Sequence, residues 1–175
     1  MDFNSDHFSL FELPVAFRLD ASLLDRRYIE MQSRVHPDRF ASAGEAERRL
    51  SLQWATRVNE AYQTLKAPGR RARYLLQLLG HDPRIDSNTA MPTEFLMKQM
   101  ELRESVEDAR SAADEAALDQ VRVHLLGEIK SEYDRLAELI DASKDYSAAA
   151  DLVRQLMFQE KLLNEIDDAL EAVTA

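Results

Sequence analysis

His36-Pro37-Asp38 places an imidazole two residues from a carboxylate, in a stretch that also holds Arg26, Arg27, Arg34 and Arg39. Such a pair can transfer a proton, ligate a divalent cation or act as a recognition signal. The first two roles need companions that the sequence does not supply. There is no Ser/His/Asp order, no phosphate-binding glycine loop and no HExxH motif. The histidines at 7, 36, 81 and 124 lack metal-ligand spacing, and His81 and His124 read as ordinary polar residues. Cysteine is absent, so thiolates cannot hold zinc or an iron–sulphur cluster and no disulfide can form. Catalysis by this chain alone is not expected, nor is a cofactor or a resident metal. A small metal-dependent enzyme using His36 and Asp38 is the rival from another class, and stoichiometric metal at the loop would favour it.

Recognition needs an exposed loop, and the neighbouring segments provide one. Asp20 is a good N-cap for a helix reaching Val35, with Leu24, Tyr28, Met31 and Val35 along one stripe. Glu45 to Lys66 reads as a longer helix that supplies the facing stripe of Leu50, Trp54, Val58, Ala61 and Leu65. Between them Pro37 disfavours helical geometry for His36 and fixes its own backbone angle. The tripeptide is thus expected at the tip of an antiparallel helical hairpin. Phe8, Leu10, Phe11 and Leu13 form a short apolar segment that stops at Pro14. Pro68 can open a further helix, with Tyr74, Leu75, Leu78 and Leu79 on its buried side and Gly80 at its C-terminal cap.

The net charge of −10 is unevenly spread. Residues 1–82 hold 12 Lys/Arg and 11 Asp/Glu, whereas residues 83–175 hold 10 and 21. That asymmetry implies two modules with different partners, and an acidic second half repels phosphate backbones, so nucleic acid is not an expected ligand. No apolar run approaches a membrane span, and the first residues lack the basic-then-apolar pattern of a secretory signal. A soluble cytoplasmic protein with no membrane partner is expected.

Residues 81–92 contain two prolines and the run Asp86-Ser87-Asn88-Thr89, which reads as a linker between a module at 1–80 and one at 93–175. In the second module Thr93 is expected to cap a helix to about Ala113. A second helix follows over about 115–140, with Leu118, Val121, Leu125, Ile129, Leu136 and Ile140 near helical spacing. A third covers about 145–173, with a stripe of Leu152, Leu156, Leu163, Ile166 and Leu170. With no strand alternation, the class is all-α: a helical hairpin with additional helices, then a three-helix bundle.

On the helix from Thr93, Phe95, Leu102, Val106 and Ala109 share one side and are assigned to the core. Met97, Met100, Glu101, Glu104 and Asp108 cluster opposite, with Leu96 at the edge. Flexible thioethers bordered by acids suit partner binding; the alternative is packing against the first module. Phe158 lies off the stripe of the last helix, among Arg154, Gln155 and Lys161. It either covers the neighbouring helix or joins the same patch.

Residues 8–79 resemble a J-domain, with Arg-Val-Asn-Glu-Ala-Tyr-Gln-Thr-Leu at 57–65 matching its third-helix signature. The likeness continues through His36-Pro37-Asp38-Arg39-Phe40-Ala41, Arg73-Tyr74-Leu75-Leu76, Phe95-Leu96-Met97 and Glu101-Leu102-Arg103-Glu104. Together, in order and over nearly the whole chain, these resemble the HscB family of iron–sulphur cluster co-chaperones. The cysteine motif of some eukaryotic members is missing, which points to a bacterial type.

The resemblance implies two binding events. His36, Pro37 and Asp38, with Arg26, Arg27, Arg34 and Arg39, would engage an HscA-type, DnaK-like chaperone and stimulate its ATP hydrolysis. Leu96, Met97, Met100, Glu101, Glu104, Asp108 and Phe158 would bind the IscU-type scaffold on which clusters are assembled. Asp108 stands where the family often has glutamate, and Met100 where leucine is common. The other possibility is a general J-domain co-chaperone whose bundle presents unfolded clients to a DnaK-type chaperone.

Overall fold

The Asp6 carboxylate accepts the Ser9 amide and starts α1 (His7–Leu10), which buries Phe8 and Leu10. The computed structural model describes residues 3–85 and 90–174, and no strand occurs among them. Contacts cluster into two compact units, Met1–Leu75 and Leu76–Ala175.

In the first unit, α2 (Ala21–Val35) begins where Asp20 accepts the Leu23 amide at 3.0 Å. A 3-10 turn (Pro37–Phe40) follows, and α3 (Glu45–Lys66) runs back along α2. Three aromatic and ionic contacts fix the pair. Tyr28 and Tyr62 stack with ring centroids 3.9 Å apart, Tyr62 donates to Asp25 at 2.8 Å, and Lys66 donates to Tyr62 at 2.6 Å. α4 (Pro68–Leu78) opens at Pro68 as expected and ends in a Schellman motif: the Gly80 amide donates to the Gln77 carbonyl and the His81 amide to that of Leu76. Gly80 adopts φ +82°, a conformation that a side chain would strain.

His7 is a pH-sensitive element of this unit. Its ring stacks on Tyr74 with centroids 4.1 Å apart, and its Nδ1 is buried without a partner. Burial, and then the nearby Arg57 charge, hold the imidazole below its ordinary value of 6.5. The unfolded chain takes up this proton near pH 6.5 while the folded chain resists it. Stability contributed by neutral His7 is therefore present above that pH and lost as pH falls below it. Thermal melts of the whole chain between pH 7 and about pH 5.5 should show a shallower decline for His7→Phe than for the parent. Equal slopes would remove His7 as a cause.

In the second unit, α5 (Thr93–Ser111), α6 (Glu115–Ala137) and α7 (Tyr146–Thr174) form the bundle. A π-helical turn (Glu138–Ser143) extends α6, and Lys144 then reverses the chain at φ +58°. Leu118, Leu125, Leu136, Leu156, Leu162 and Ile166 are fully buried. Each contributes about 1.5–3 kcal/mol through loss of apolar surface to water. Cross-helix pairs set the directions. Lys98 meets Glu128, Arg122 meets Asp167 at 2.6 Å, and Tyr133 meets Glu160, so α6 runs antiparallel to both neighbours. Arg103 meets Glu165, 62 positions on, which leaves α5 and α7 parallel.

Several side chains fall elsewhere than expected. Leu50 is exposed and Ser51 is buried in its place, because 51, 54, 58, 61 and 65 form the straighter stripe. Leu78 and Leu79 are exposed at the end of α4, where the chain unwinds, and Leu76 takes the buried position. On α7 the buried stripe passes through Leu162 and Ala169 rather than Leu163 and Leu170. Val121 is only half-buried. Thr93 is the first helical residue rather than the cap, a position taken by Pro92 without a side-chain bond. Of the segment read as a linker, Asp86, Ser87, Asn88 and Thr89 lie outside the described residues. Pro83 is buried, and its carbonyl accepts from Arg154 at 3.0 Å.

Candidate functional site

The loop after α2 is held in shape by its own residues. His36 has extended geometry at φ −59° and ψ 129°, as a residue before proline should. Its Nδ1 accepts the Asp38 amide at 3.3 Å. Asp38 is 90% exposed, with its carboxylate 3.6 Å from His36 Nδ1. Neither side chain contributes to the core. Among the described residues no group of three or more His, Asp or Glu side chains could hold a metal ion.

Two contacts anchor the loop to the helices. The Ser51 hydroxyl, buried on α3, donates to the Val35 carbonyl at 2.8 Å, and Arg39 donates to the Ser33 carbonyl at 2.9 Å. Both capture carbonyls of the last turn of α2 that have no helical donor. Ser51 therefore positions the residue just before His36. Ser51→Ala should cost about 1 kcal/mol of stability, from the lost bond and the stranded carbonyl. A melting temperature equal to the parent's would show that water replaces the hydroxyl.

The four arginines differ in their commitments. Arg27 pairs with Glu12 at 3.1 Å and Glu30 at 3.4 Å. Arg39 holds the α2 carboxyl end, as above. Arg34 touches only the Met31 sulphur, at 3.8 Å, and Arg26 is exposed. Neither these two nor Arg39, whose partner is a neutral carbonyl, makes an ion pair among the described residues, so all three carry unneutralised charge on this surface.

The second surface lies on α5 of the bundle. Leu96 is 41% exposed, Met97 58% and Met100 70%, with Glu101, Glu104 and Asp108 exposed along the same side. The opposite side carries buried Val106 and Ala109 with half-buried Phe95 and Leu102, as the helical spacing predicts. Gln99 is also buried there, with neither amide atom bonded, a polar core position that periodicity does not reveal. Phe158 is 38% exposed on α7. The 62-residue offset of Arg103 and Glu165 puts it level with Leu96.

Sequence reasoning missed Ser51 and, beside Phe158, Met157. The regular 51-54-58-61-65 spacing is the signal that finds the first. For the second, Arg154, Met157, Phe158 and Lys161 share one face of α7 at i, i+3, i+4 and i+7.

Comparison with known proteins bears on the family and the fold. Residues 91–167 match the family described as the HSCB C-terminal oligomerisation domain. Over 173 residues the chain is 51% identical to the co-chaperone protein HscB homolog of Azoarcus sp. (strain BH72), covering 99% of this chain and 98% of that one. The chaperone HscB from Vibrio cholerae superposes with a TM-score of 0.85 at 40% identity, over 97% of this chain and 99% of that chain. Human co-chaperone protein HscB gives 0.89 at 29% identity, over 95% and 83%. At 51% identity to the Azoarcus relative over nearly the whole length of both chains, the chain belongs to the HscB family of co-chaperones.

Proposed function

We propose that the chain binds an IscU-type iron–sulphur scaffold, delivers it to an HscA-type, DnaK-like chaperone and stimulates that chaperone's ATPase. In this way it promotes cluster transfer and the maturation of iron–sulphur proteins in the cytoplasm. Residues 1–80 act as the J-domain, 81–92 connect, and 93–175 bind the scaffold. The observation that carries the reading is the exposed run of Leu96, Met97 and Met100 beside three acids, on a helix whose other side supplies the core.

His36, Pro37 and Asp38, with Arg26, Arg27, Arg34 and Arg39, contact the ATPase. Unpaired Arg26 and Arg34 attract an acidic surface, and electrostatic complementarity of this kind sets orientation and association rate. The loop favours the chaperone's hydrolysis-competent arrangement, which it can do only by binding that arrangement more tightly. Leu96, Met97, Met100, Glu101, Glu104, Asp108 and Phe158 hold the scaffold. Holding both partners on one chain raises the effective concentration of each for the other. The hydrolytic residues belong to the ATPase, and the cluster travels on the scaffold as cargo.

Parallel titrations with the purified folded scaffold and with denatured model proteins test this reading. A clear preference for the folded scaffold is expected. Equal affinity would instead identify a general J-domain co-chaperone that takes unfolded clients.

A further inference from the structure

A pocket of about 180 Å³ opens beside Phe158, lined by Ile85, Met91, Arg154, Met157, Phe158 and Lys161. Four of the six are apolar. Pockets that enclose drug-sized ligands run to about 300–1,000 Å³, so this one has room for a side chain rather than a cofactor. Its two cations differ. Arg154 is turned inward, bonded to the Asp151 carboxylate and the Pro83 carbonyl. Lys161 is exposed and makes no ion pair among the described residues.

The surroundings invert that charge. Phe158 stands level with Leu96, and from there α5 carries Glu101, Glu104 and Asp108. The exposed charge of the bundle thus changes sign between these helices, from acids on α5 to the ammonium of Lys161 on α7. A partner complementary to it carries basic groups on one side of an apolar contact and a carboxylate on the other.

We infer that the pocket receives an apolar side chain of the protein partner bound by the bundle, and that a carboxylate next to that side chain pairs with Lys161. The inference rests on the scaffold-binding reading of α5 and extends that surface onto α7. Met157 and Met91 supply walls that adapt to the inserted group, as thioethers do. Lys161 fixes the register, since a neutral or basic neighbour would leave its charge uncompensated.

The test is titration of a purified, cluster-free IscU-type scaffold protein against the full chain and its variants. Lys161→Glu should weaken binding about tenfold at low salt, through like-charge repulsion. Lys161→Gln should weaken it about threefold, and both losses should shrink at 1 M salt as screening shortens to about 3 Å. Met157→Ala should lose about fivefold in affinity, beside the small fall in melting temperature that truncating a half-buried methionine brings. Carbodiimide coupling should join Lys161 to an aspartate or glutamate of the scaffold. Parent-like binding by both Lys161 variants, while Met100→Ala loses affinity, would overturn the pocket and leave the α5 surface standing. A cross-link from Lys161 only to carboxylates of its own chain would also overturn it. Absence of scaffold binding by the parent would remove both readings.

Discussion

His36→Gln will abolish stimulation of the chaperone's ATPase while leaving helix content, melting temperature and scaffold binding as in the parent. The side chain is half exposed and its one hydrogen bond is local, from the Asp38 amide to Nδ1. That bond is the N-cap of the 3-10 turn Pro37–Phe40, which buries no residue, so its loss loosens the loop without touching the helices or the core. The fold is therefore insensitive to the change. The loop is not, because glutamine lacks the rigid ring and the Nδ1 acceptor that holds the Asp38 amide. Stimulation depends on binding one chaperone arrangement more tightly than another, so loss of that difference removes the whole effect rather than a fraction. Steady-state ATPase with each form at saturating concentration, beside circular dichroism, checks both halves. Stimulation retained by the variant would take the loop out of the mechanism.

Met100→Ala will weaken scaffold binding by about 1–2 kcal/mol, roughly five- to thirty-fold in Kd. At 70% exposure Met100 gives the free chain little packing to lose, so its melting temperature should hold. The energy appears only when a partner covers the thioether, between Leu96 and Met97 on one side and Glu104 on the other. Calorimetric titration paired with a thermal melt separates the possibilities. Unchanged binding with a lower melting temperature would assign Met100 to packing instead.

Much of this was legible in the residues because local signals agreed. Asp20, Pro37, Pro68 and Gly80 each impose backbone geometry or a cap by themselves, and the helices they bound lie where periodicity puts them. The α5 surface was legible for a related reason: a helix turns about 100° per residue, so opposite faces follow from spacing. The illegible part depends on which of two adjacent apolar residues wins a place. Leu50 against the Ser51 position, and Leu163 against Leu162, differ by one step around the helix. Only the direction of the neighbouring helix decides between them. Ser51 succeeds because it meets the free Val35 carbonyl, a tertiary contact that no window of sequence contains. The pocket beside Phe158 was hidden likewise, since Ile85 and Met91 reach it from a segment that reads as irregular chain.

The central claim is that one chain couples two partners through a loop and a bundle face. The direct measurement is chaperone ATP hydrolysis with this protein alone, with scaffold alone, and with both present. More stimulation with both than the two separate increments combined is the predicted result. Purely additive rates would contradict the account, since loop and bundle face would then act without reference to each other.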